Sequence, residues 1–353
     1  MAKHRKNTIL IGPYPPPFGG VSIFIKQLYQ HLETKPSVEF WFYSSSPSPL
    51  KKVVFFNRYQ LPCLLLRKGW RAKVIESAHF ILEYPSLLTT IWIVMKIVLR
   101  FQWVKIIHDG SLPSRYVAFP FLIKKLFHWS LKHIDKIVTV SEALSTWLKA
   151  IYPSASITVV QSLLPVTTTK YKSDLPEAIS RRLSQFSRLV CSVGAFTESY
   201  GFRETIEAVL HVRRQLNENI GLVLIESGFA RDTAYKFAAL KQHDWIIVLS
   251  DVTNETVLDV MKRSSVFVRG FAQESFGISR VEALWQGTPV VATSFGETRG
   301  MITFEAGNVS DLAAKIFFAL QEPSVKQDVA LWAERFRIEA EQNLQKFLSI
   351  IED

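Results

Sequence analysis

Residues 266–293 read VFVRGFAQESFGISRVEALWQGTPVVAT. The stretch begins with the apolar run Val266–Val268, continues through a helical segment and ends at a second apolar run, Pro289–Ala292. Short apolar runs on either side of a helix are typical of buried parallel strands in βαβ units. The stretch therefore predicts an α/β fold.

The same alternation of short β-branched runs and longer helical stretches continues along all 353 residues. Two such series in tandem predict two doubly wound, Rossmann-like parallel-sheet domains that face one another across a cleft. We place them at residues 1–165 and 166–335, with a helix over 336–353 that packs back toward the N-terminal domain. The join is expected near Leu164–Ser173, where three consecutive threonines break the apolar pattern. The remaining predicted strands are Thr8–Ile11, Val104–Ile107, Lys136–Val140, Ile157–Val160, Leu189–Val193, Leu222–Ile225 and Trp245–Leu249.

Charge is distributed unevenly between the two halves. Residues 1–165 hold 21 Lys and Arg against 7 Asp and Glu, a net charge of +14, whereas residues 166–353 hold 21 against 24, a net charge of −3. Such asymmetry indicates an anionic partner for the first half, either nucleic acid or an acidic membrane surface. No nucleic-acid module is visible, so we expect no nucleic-acid partner.

Cysteine usage and apolar runs indicate where the protein works. The two cysteines, Cys63 and Cys191, exclude a disulfide framework and a Cys-rich zinc site, and they fit a reducing compartment. The apolar run near the N-terminus is too short for a signal peptide. The longest apolar stretch, Leu87–Val98, is too short to span a bilayer, and we expect it to be a buried helix that covers the first sheet. A cytoplasmic protein is predicted.

The segment Arg115–His133 mixes basic and aromatic side chains, which is the composition of a helix lying on an anionic membrane. The alternative is an ordinary amphipathic helix with a solvated basic face. The residues predicted to face the membrane or the acceptor are Arg115, Lys124, Lys125, Trp129 and Lys132.

A proline- and glycine-rich loop, GPYPPPFGGVS at residues 12–22, follows the first predicted strand. Gly19 and Gly20 end this loop where a helix begins, so backbone N–H groups there can approach a phosphate. The loop is neither a Walker loop nor a dinucleotide signature, which argues against an ATPase and an NAD enzyme. A purely structural turn is the alternative.

Glu274 and Glu282 are separated by eight residues in the stretch quoted above. On a helix that spacing leaves them roughly 80° apart in projection and about 12 Å apart along the axis. A carboxylate can accept hydrogen bonds from both vicinal hydroxyls of a ribose or a hexose. The pair therefore indicates a sugar or nucleoside ligand, although a glutamate pair at this spacing is more often a solvated face.

These motifs together resemble glycosyltransferase family 4, whose members have the GT-B fold. The resemblance rests on GPYPPPFGGVS at 12–22, IIHDG at 106–110, IVTVSEAL at 137–144 and the Glu274/Glu282 pair, in that order. It implies that His108 and Glu274 are catalytic residues at the donor sugar and that Glu282 holds the nucleotide ribose. The further donor-binding residues that it implies are Gly19, Gly20, Phe276, Gly277 and Ile278.

The resemblance also implies the reaction, which is transfer of a sugar from a UDP- or GDP-sugar to an acceptor hydroxyl with retention at the anomeric carbon. The chain contains no Asp-x-Asp sequence, so we expect no metal and no cofactor besides the nucleotide-sugar substrate. The leaving diphosphate must then be stabilised by protein donors and cations.

The chain departs from the common family pattern at two positions. Many members have an Arg and a Lys that neutralise the diphosphate, in Val-Gly-Arg-Leu and in a Lys-Gly a few residues on, whereas this chain has Ala195 and Tyr200 at the corresponding places. The cations predicted to replace them are Arg203, Arg269 and Arg280.

The leading hypothesis is a cytoplasmic glycosyltransferase, peripheral at the inner face of the cell membrane, that acts on a lipid-linked or other glycan acceptor in surface polysaccharide or lipopolysaccharide biosynthesis. The missing Arg and Lys favour an alternative, a non-catalytic relative that binds a nucleotide sugar or partners an active transferase. A nucleotide-sugar epimerase is a third hypothesis. The basic first half argues against it, because an epimerase needs no lipid acceptor.

Overall fold

The computed structural model describes residues 7–47, 49–165, 175–231, 240, 243–271 and 273–352. Most of the predicted join at Leu164–Ser173 lies outside the described residues. The chain divides into two compact units. The first comprises Met1–Pro17, Val21–Thr167 and Ala340–Asp353, and the second comprises Phe18–Gly20 and Thr168–Glu339.

The first unit is built on a seven-stranded sheet in which every strand pair is parallel, with the order β3-β2-β1-β4-β5-β6-β7. Its strands are β1 (Thr8–Pro13), β2 (Val38–Tyr43), β3 (Val53–Phe55), β4 (Lys73–Glu76), β5 (Gln102–Ile107), β6 (Lys136–Thr139) and β7 (Ile157–Val159). Its helices are α1 (Gly20–Leu32), α2 (Leu61–Lys68), α3 (His79–Leu82), α4 (Leu87–Leu99), α5 (Leu112–Ala118), α6 (Phe121–His133) and α7 (Glu142–Ile151).

One face of this sheet is covered by α2 and α4. Ile9 and Ile11 share that face because alternate residues of a strand point the same way. They belong to one buried cluster with Leu65 of α2 and Trp92 of α4, and Leu126 of α6 packs against the same cluster. Helices α2, α4 and α6 therefore form a single layer on one side of the sheet.

The second unit has a six-stranded sheet in the order β10-β9-β8-β11-β12-β13, and again every strand pair is parallel. Its strands are β8 (Arg188–Phe196), β9 (Ile220–Arg231), β10 (Ile246–Ser250), β11 (Val266–Arg269), β12 (Val290–Thr293) and β13 (Ile302–Phe304). The helices of the remaining chain are α8 (Glu177–Leu183), α9 (Phe202–Leu216), α10 (Asn254–Arg263), α11 (Ile278–Trp285), α12 (Val309–Gln321) and α13 (Ser324–Glu352). Residues 340–352 of α13 belong to the first unit.

The predicted α/β class with two doubly wound parallel sheets is confirmed, and each predicted strand overlaps an observed one. Four strands were missed, namely β2, β3, β4 and β13. Strand β4 reads KVIE, so half of its residues are charged, yet Lys73 and Glu76 are both buried. Among the described helices, none combines the length and the apolarity needed to cross a membrane.

Candidate functional site

The two predicted glutamates lie on either side of Gly277, one in the loop after β11 and the other on α11. Glu274 lies in the loop after β11, and Glu282 lies at the start of the second turn of α11. Gly277 has φ of +89°, a left-handed conformation that residues with a side chain rarely adopt. A Cβ at Gly277 would also lie 3.1 Å from Glu274 Cγ. Glycine therefore allows a tight turn directly beside the carboxylate.

Glu274 is held by Arg269, the last residue of β11. Arg269 Nε donates to Glu274 Oε2 at 2.8 Å, and each side chain is 11% exposed. Burial alone would lower the pKa of Arg269, but the Glu274 carboxylate and the Tyr200 hydroxyl outweigh it, and the pKa is raised. Arg269 is therefore charged at every physiological pH, and it fixes the orientation of Glu274.

Arg269 also reaches the segment where the common family pattern has its Arg and Lys. Its guanidinium donates to the Val193 carbonyl of β8 and lies over the Tyr200 ring, 4.9 Å from the ring centroid. Tyr200 stacks on Phe271 with ring centroids 4.4 Å apart. The structure thus brings a cation from β11 to the place where the sequence lacks one.

The short loop after β12 packs against Glu274. Gly296 in this loop has φ of +75°, and a Cβ there would lie 2.9 Å from Glu274 Cγ. The Glu297 N–H donates to the Phe276 carbonyl at 2.9 Å. The loop after β12 therefore packs directly against the Glu274 side chain.

Arg280 anchors this loop. Its Nη1 donates to the carbonyls of Thr293, Phe295 and Glu297, and its Nη2 donates to Thr293 Oγ1 at 3.1 Å. The residue is fully buried, and burial is the largest influence that lowers its pKa, to about 10. Because both Nη atoms donate hydrogen bonds to the end of β12 and the loop that follows it, these contacts do not support the predicted role of Arg280 as a diphosphate cation.

Glu282 is 4% exposed on α11. Asn254 Nδ2, in the first turn of α10, lies 3.4 Å from Glu282 Oε1. Phe276 and Ile278 are buried, at 3% and 8% exposure, on either side of Gly277 where α11 begins.

The remaining predicted donor residues lie elsewhere. Arg203 lies exposed in the first turn of α9. Gly20 begins α1, and a Cβ added to Gly19 or Gly20 would meet nothing within 4 Å. Packing therefore does not require glycine at either position, which is consistent with close approach by a ligand.

His108 follows β5 in the first unit and is 6% exposed. Its Nε2 is 2.8 Å from Ser77 Oγ, and its Nδ1 is 3.2 Å from Ser162 Oγ. Burial, with smaller effects from the charges of His79 and Lys105, lowers the pKa of His108 well below its ordinary value. The imidazole is therefore neutral and held in one orientation, suited to hydrogen bonding rather than to carrying a positive charge.

Sequence reasoning missed a buried ionic cluster beside His108. Lys105 Nζ on β5 lies 3.0 Å from Glu76 Oε1 and 2.9 Å from Glu83 Oε2, and all three side chains are fully buried. Burial raises the pKa of Glu76 to about 7 despite the attraction of Lys105, whereas the pKa of Glu83 is lowered because Lys105 and His79 outweigh burial. The only signal in the sequence was the presence of charged residues inside apolar runs.

Arg115 was predicted to face the membrane or the acceptor, but it makes contacts within its own unit. It pairs with Asp109, donates to Ser111 Oγ at 3.1 Å and lies over the Tyr84 ring. Burial raises the pKa of Asp109, yet hydrogen bonds from Ser111 and Arg115 lower it overall. Arg115 is thus an internal partner of Asp109 and a weak candidate for a membrane contact.

The other predicted membrane residues lie on α6. Lys125 and Lys132 are exposed, and Trp129 is 36% exposed. Lys124 is half-buried, and its Nζ donates to the Val117 carbonyl at 3.1 Å. Helix α6 therefore presents two cations and one indole on its outer side.

Among the described residues, no group of three or more His, Cys, Asp or Glu side chains is placed to hold a metal ion. The expectation of a metal-independent reaction remains a prediction.

Comparison with known proteins points to one class of enzyme. Residues 179–330, which include both glutamates and Arg269, match the family model described as glycosyl transferases group 1. The 2-deoxystreptamine glucosyltransferase of Streptomyces kanamyceticus is 22% identical over 284 residues, which are 74% of this chain and 72% of that enzyme.

Solved structures of other proteins superpose on almost the whole of this chain. Sucrose-phosphate synthase from Thermosynechococcus elongatus superposes with a TM-score of 0.74 at 15% identity, over 98% of each chain. Anabaena HepE, in a complex with UDP and glucose, gives a TM-score of 0.74 at 14% identity, over 98% of this chain and 99% of that one. The fold is GT-B. The family-model match and these neighbours together support a GT-B glycosyltransferase.

Proposed function

We propose that this chain is a member of glycosyltransferase family 4 that transfers a sugar from a UDP- or GDP-sugar to an acceptor hydroxyl. One observation carries the proposal: the matched segment holds Glu274, charged Arg269 and buried Glu282 around the left-handed turn at Gly277. A fixed carboxylate, a cation and a helix N-terminus are the groups that a sugar diphosphate requires.

In the proposed donor complex, Glu282 accepts hydrogen bonds from the ribose hydroxyls, and the backbone at Phe276–Ile278 approaches the phosphates. Glu274 accepts hydrogen bonds from the donor sugar. Its tight packing against Gly296 supports this role, because a carboxylate that cannot move holds a sugar in one orientation.

Arg269 is the proposed replacement for the two missing cations. In the transfer step, the acceptor oxygen bonds to the anomeric carbon as the bond from that carbon to the diphosphate oxygen breaks. The acceptor proton leaves with the nucleoside diphosphate. A preorganised guanidinium beside the leaving group stabilises the charge that develops there, so the step needs no metal. Retention at the anomeric carbon is part of the proposal through the family resemblance.

His108 is proposed to hydrogen-bond a hydroxyl of the donor sugar. Its lowered pKa supports a neutral partner, and the Ser77 and Ser162 hydroxyls hold its ring in place.

The proposed acceptor is a lipid-linked glycan, used at the inner face of the cell membrane in surface polysaccharide synthesis. The +14 charge of residues 1–165 and the exposed Lys125, Lys132 and Trp129 of α6 support it. This surface suits an acceptor that is carried on an anionic membrane.

The test is calorimetric binding of UDP-, GDP- and ADP-sugars, followed by a transfer assay. Glu282→Gln is expected to weaken nucleotide-sugar binding at least about tenfold, because the amide replaces one acceptor oxygen by a donor. Glu274→Gln is expected to leave binding nearly unchanged and to slow transfer. Exposed Glu334 on α13 supplies the matched control Glu334→Gln, expected to behave as wild type.

The outcomes separate this proposal from its alternative. Failure of wild type to bind any nucleotide sugar contradicts the proposed function. Binding that is lost in Glu282→Gln, with no transfer to any acceptor tried, would favour the non-catalytic relative suggested by the missing Arg and Lys at Ala195 and Tyr200.

A further inference from the structure

Helix α4 carries an apolar stripe on its outer side. Leu87, Val94, Ile97 and Val98 are 49–77% exposed, and Ile91 between them is partly exposed. The positions 87, 91, 94 and 98 follow the i, i+4, i+7, i+11 spacing of one helix face. The sequence predicted a buried helix that covers the sheet. The inner side of α4 does so, but its outer side is uncovered within its unit.

The stripe continues onto neighbouring parts of the same layer. The Arg71 N–H donates to the Leu99 carbonyl at 2.9 Å, so the C-terminal end of α4 lies beside Trp70, which is 60% exposed. Leu66 on α2 is 64% exposed, and α4 contacts both α2 and α6. We call the exposed residues of this layer the α2–α4 face; they are Leu66, Arg67, Trp70, Arg71, Leu87, Val94, Ile97, Val98 and Arg100.

Acidic residues are scarce in the segment that carries this face. Residues 61–134, all of which the structure describes, contain eleven Lys and Arg and three acidic residues. Those three are Glu76 and Glu83, which are fully buried against Lys105, and Asp109, which pairs with Arg115.

The cations at the end of α4 are available to a partner. Arg67, Arg71 and Arg100 are exposed and form no ion pair with any residue that the structure describes. Nearby Lys68 and Lys96 are instead paired with Glu39 and Asp135.

We propose that the α2–α4 face docks on an anionic lipid bilayer. An exposed apolar helix face with an indole at its edge, and with arginines that form no ion pair with any described residue, has the chemistry of an interfacial membrane contact. A second copy of this chain is a poorer occupant, because a two-fold contact would place these arginines against one another. The inference deepens the proposed membrane association by adding α2 and α4 to α6.

The test is cosedimentation of the full chain with vesicles, with neither donor nor acceptor present. Failure of the sugar-transfer proposal is therefore distinguishable from failure of this one. Wild type is expected to sediment with vesicles that contain about one third phosphatidylglycerol and far less with pure phosphatidylcholine. The double variant Val94→Gln, Val98→Gln is expected to lower the bound fraction at least about fivefold, because it removes apolar contact without adding charge.

Two controls accompany this variant. Leu331 on α13, 49% exposed in the second unit, supplies Leu331→Gln, expected to bind as wild type. Lys125→Glu, Lys132→Glu tests α6 separately. Wild type that fails to sediment, or a Val94→Gln, Val98→Gln variant that sediments as wild type does, would overturn the inference. So would a wild-type dimer that this variant dissociates, since the face would then join two copies.

Cys63 provides a second readout that does not depend on any variant. The chain has two cysteines, and Cys63 on α2 is exposed whereas Cys191 is buried. A thiol-linked, polarity-sensitive fluorophore on Cys63 is expected to shift to shorter wavelength when phosphatidylglycerol vesicles are added. Sedimentation with the vesicles and no shift at Cys63 would place the contact on another surface and overturn the inference.

Discussion

The Lys105–Glu76–Glu83 cluster of the first unit and the Arg269–Glu274 pair of the second unit differ in their access to solvent. In the first unit, Lys105 is enclosed with Glu76 and Glu83, and all three side chains are fully buried. In the second unit, Arg269 and Glu274 pair at 2.8 Å, but each retains 11% of its side-chain exposure. Similar chemistry therefore occurs in a sealed form and in a form that a ligand can reach.

This difference in exposure suits the Lys105 cluster to a structural role and the Arg269–Glu274 pair to a role in ligand binding. A sealed cluster cannot exchange partners with a ligand, so its contribution is to hold β4, β5 and α3 in register. A partly exposed pair can share its charge with an incoming group while its geometry stays fixed by packing. The sealed cluster should therefore dominate stability, and the accessible one should dominate chemistry.

Lys105→Met is expected to give the largest effect on stability. It leaves two buried carboxylates without their cation, and breaking such a cluster costs about 3–5 kcal/mol of unfolding free energy. Urea unfolding measures the loss. The triple variant Lys105→Met, Glu76→Gln, Glu83→Gln should recover part of it, because no unpaired charge remains. A loss below about 1 kcal/mol for Lys105→Met would mean that the cluster does not hold the sheet.

Arg269→Gln should lower the rate of sugar transfer far more than it lowers stability. If Arg269 stabilises the leaving diphosphate, sugar transfer should slow by about 100-fold, the typical effect of removing one preorganised charge-stabilising group. Arg269→Lys should restore part of the rate, since it keeps the charge but loses the guanidinium that bonds both Glu274 and the Val193 carbonyl. Nucleotide-sugar transfer at the wild-type rate in Arg269→Gln would remove the residue from the reaction.

The pH dependence of stability provides a subtler test of the sealed cluster. The pKa of Glu76 is raised to about 7 by burial, above its ordinary value of 4.5. The folded state thus holds this proton more tightly than the unfolded state. The stabilisation that protonated Glu76 contributes to folding is complete below about pH 4.5. It is lost as pH rises through about 7. Compared with Glu76→Gln, wild type should lose unfolding free energy between about pH 5 and 7. Parallel pH profiles for the two proteins would contradict the assignment.

Gly296→Ala should give the smallest effect and the most local one. The residue has φ of +75°, and its new methyl would press on Glu274 Cγ at 2.9 Å. Gly287→Ala is a matched control, because its φ is +80° and a Cβ there meets nothing within 4 Å. Both should lose about 1 kcal/mol of unfolding free energy from backbone strain. Gly296→Ala alone should also slow transfer, by moving Glu274; equal rates in the two variants would show that the loop does not position it.

Sequence periodicity predicted most of the sheet but not its charged strand. Apolar runs such as Leu189–Val193 stand out because both faces of a central parallel strand are buried. Strand β4 carries Lys73 and Glu76 in four residues, and a pattern based on hydrophobicity assigns such residues to the surface. Their burial depends on partners that are distant in sequence: Lys105 of β5 pairs with Glu76, and the carbonyls of Ile350 and Ile351 accept from Lys73.

The sequence likewise predicted one part of the candidate site and missed another. The position of Glu274 and Glu282 around Gly277 follows from local spacing, so the sequence could predict it. The partnership of Arg269 with Val193 and Tyr200 joins residues about seventy positions apart, and single-sequence reasoning has no rule for such a pairing. Arg280 was equally plausible from the sequence and is instead bonded to the loop after β12.

The first unit also has a consequence for how the chain is made. Buried Lys73 on β4 donates to the carbonyls of Ile350 and Ile351, at 2.9 and 3.2 Å. These partners leave the ribosome only after the whole of the second unit has been synthesised. The unit that is synthesised first must therefore wait for residues 340–353, which follow the whole of the second unit, before its core is complete.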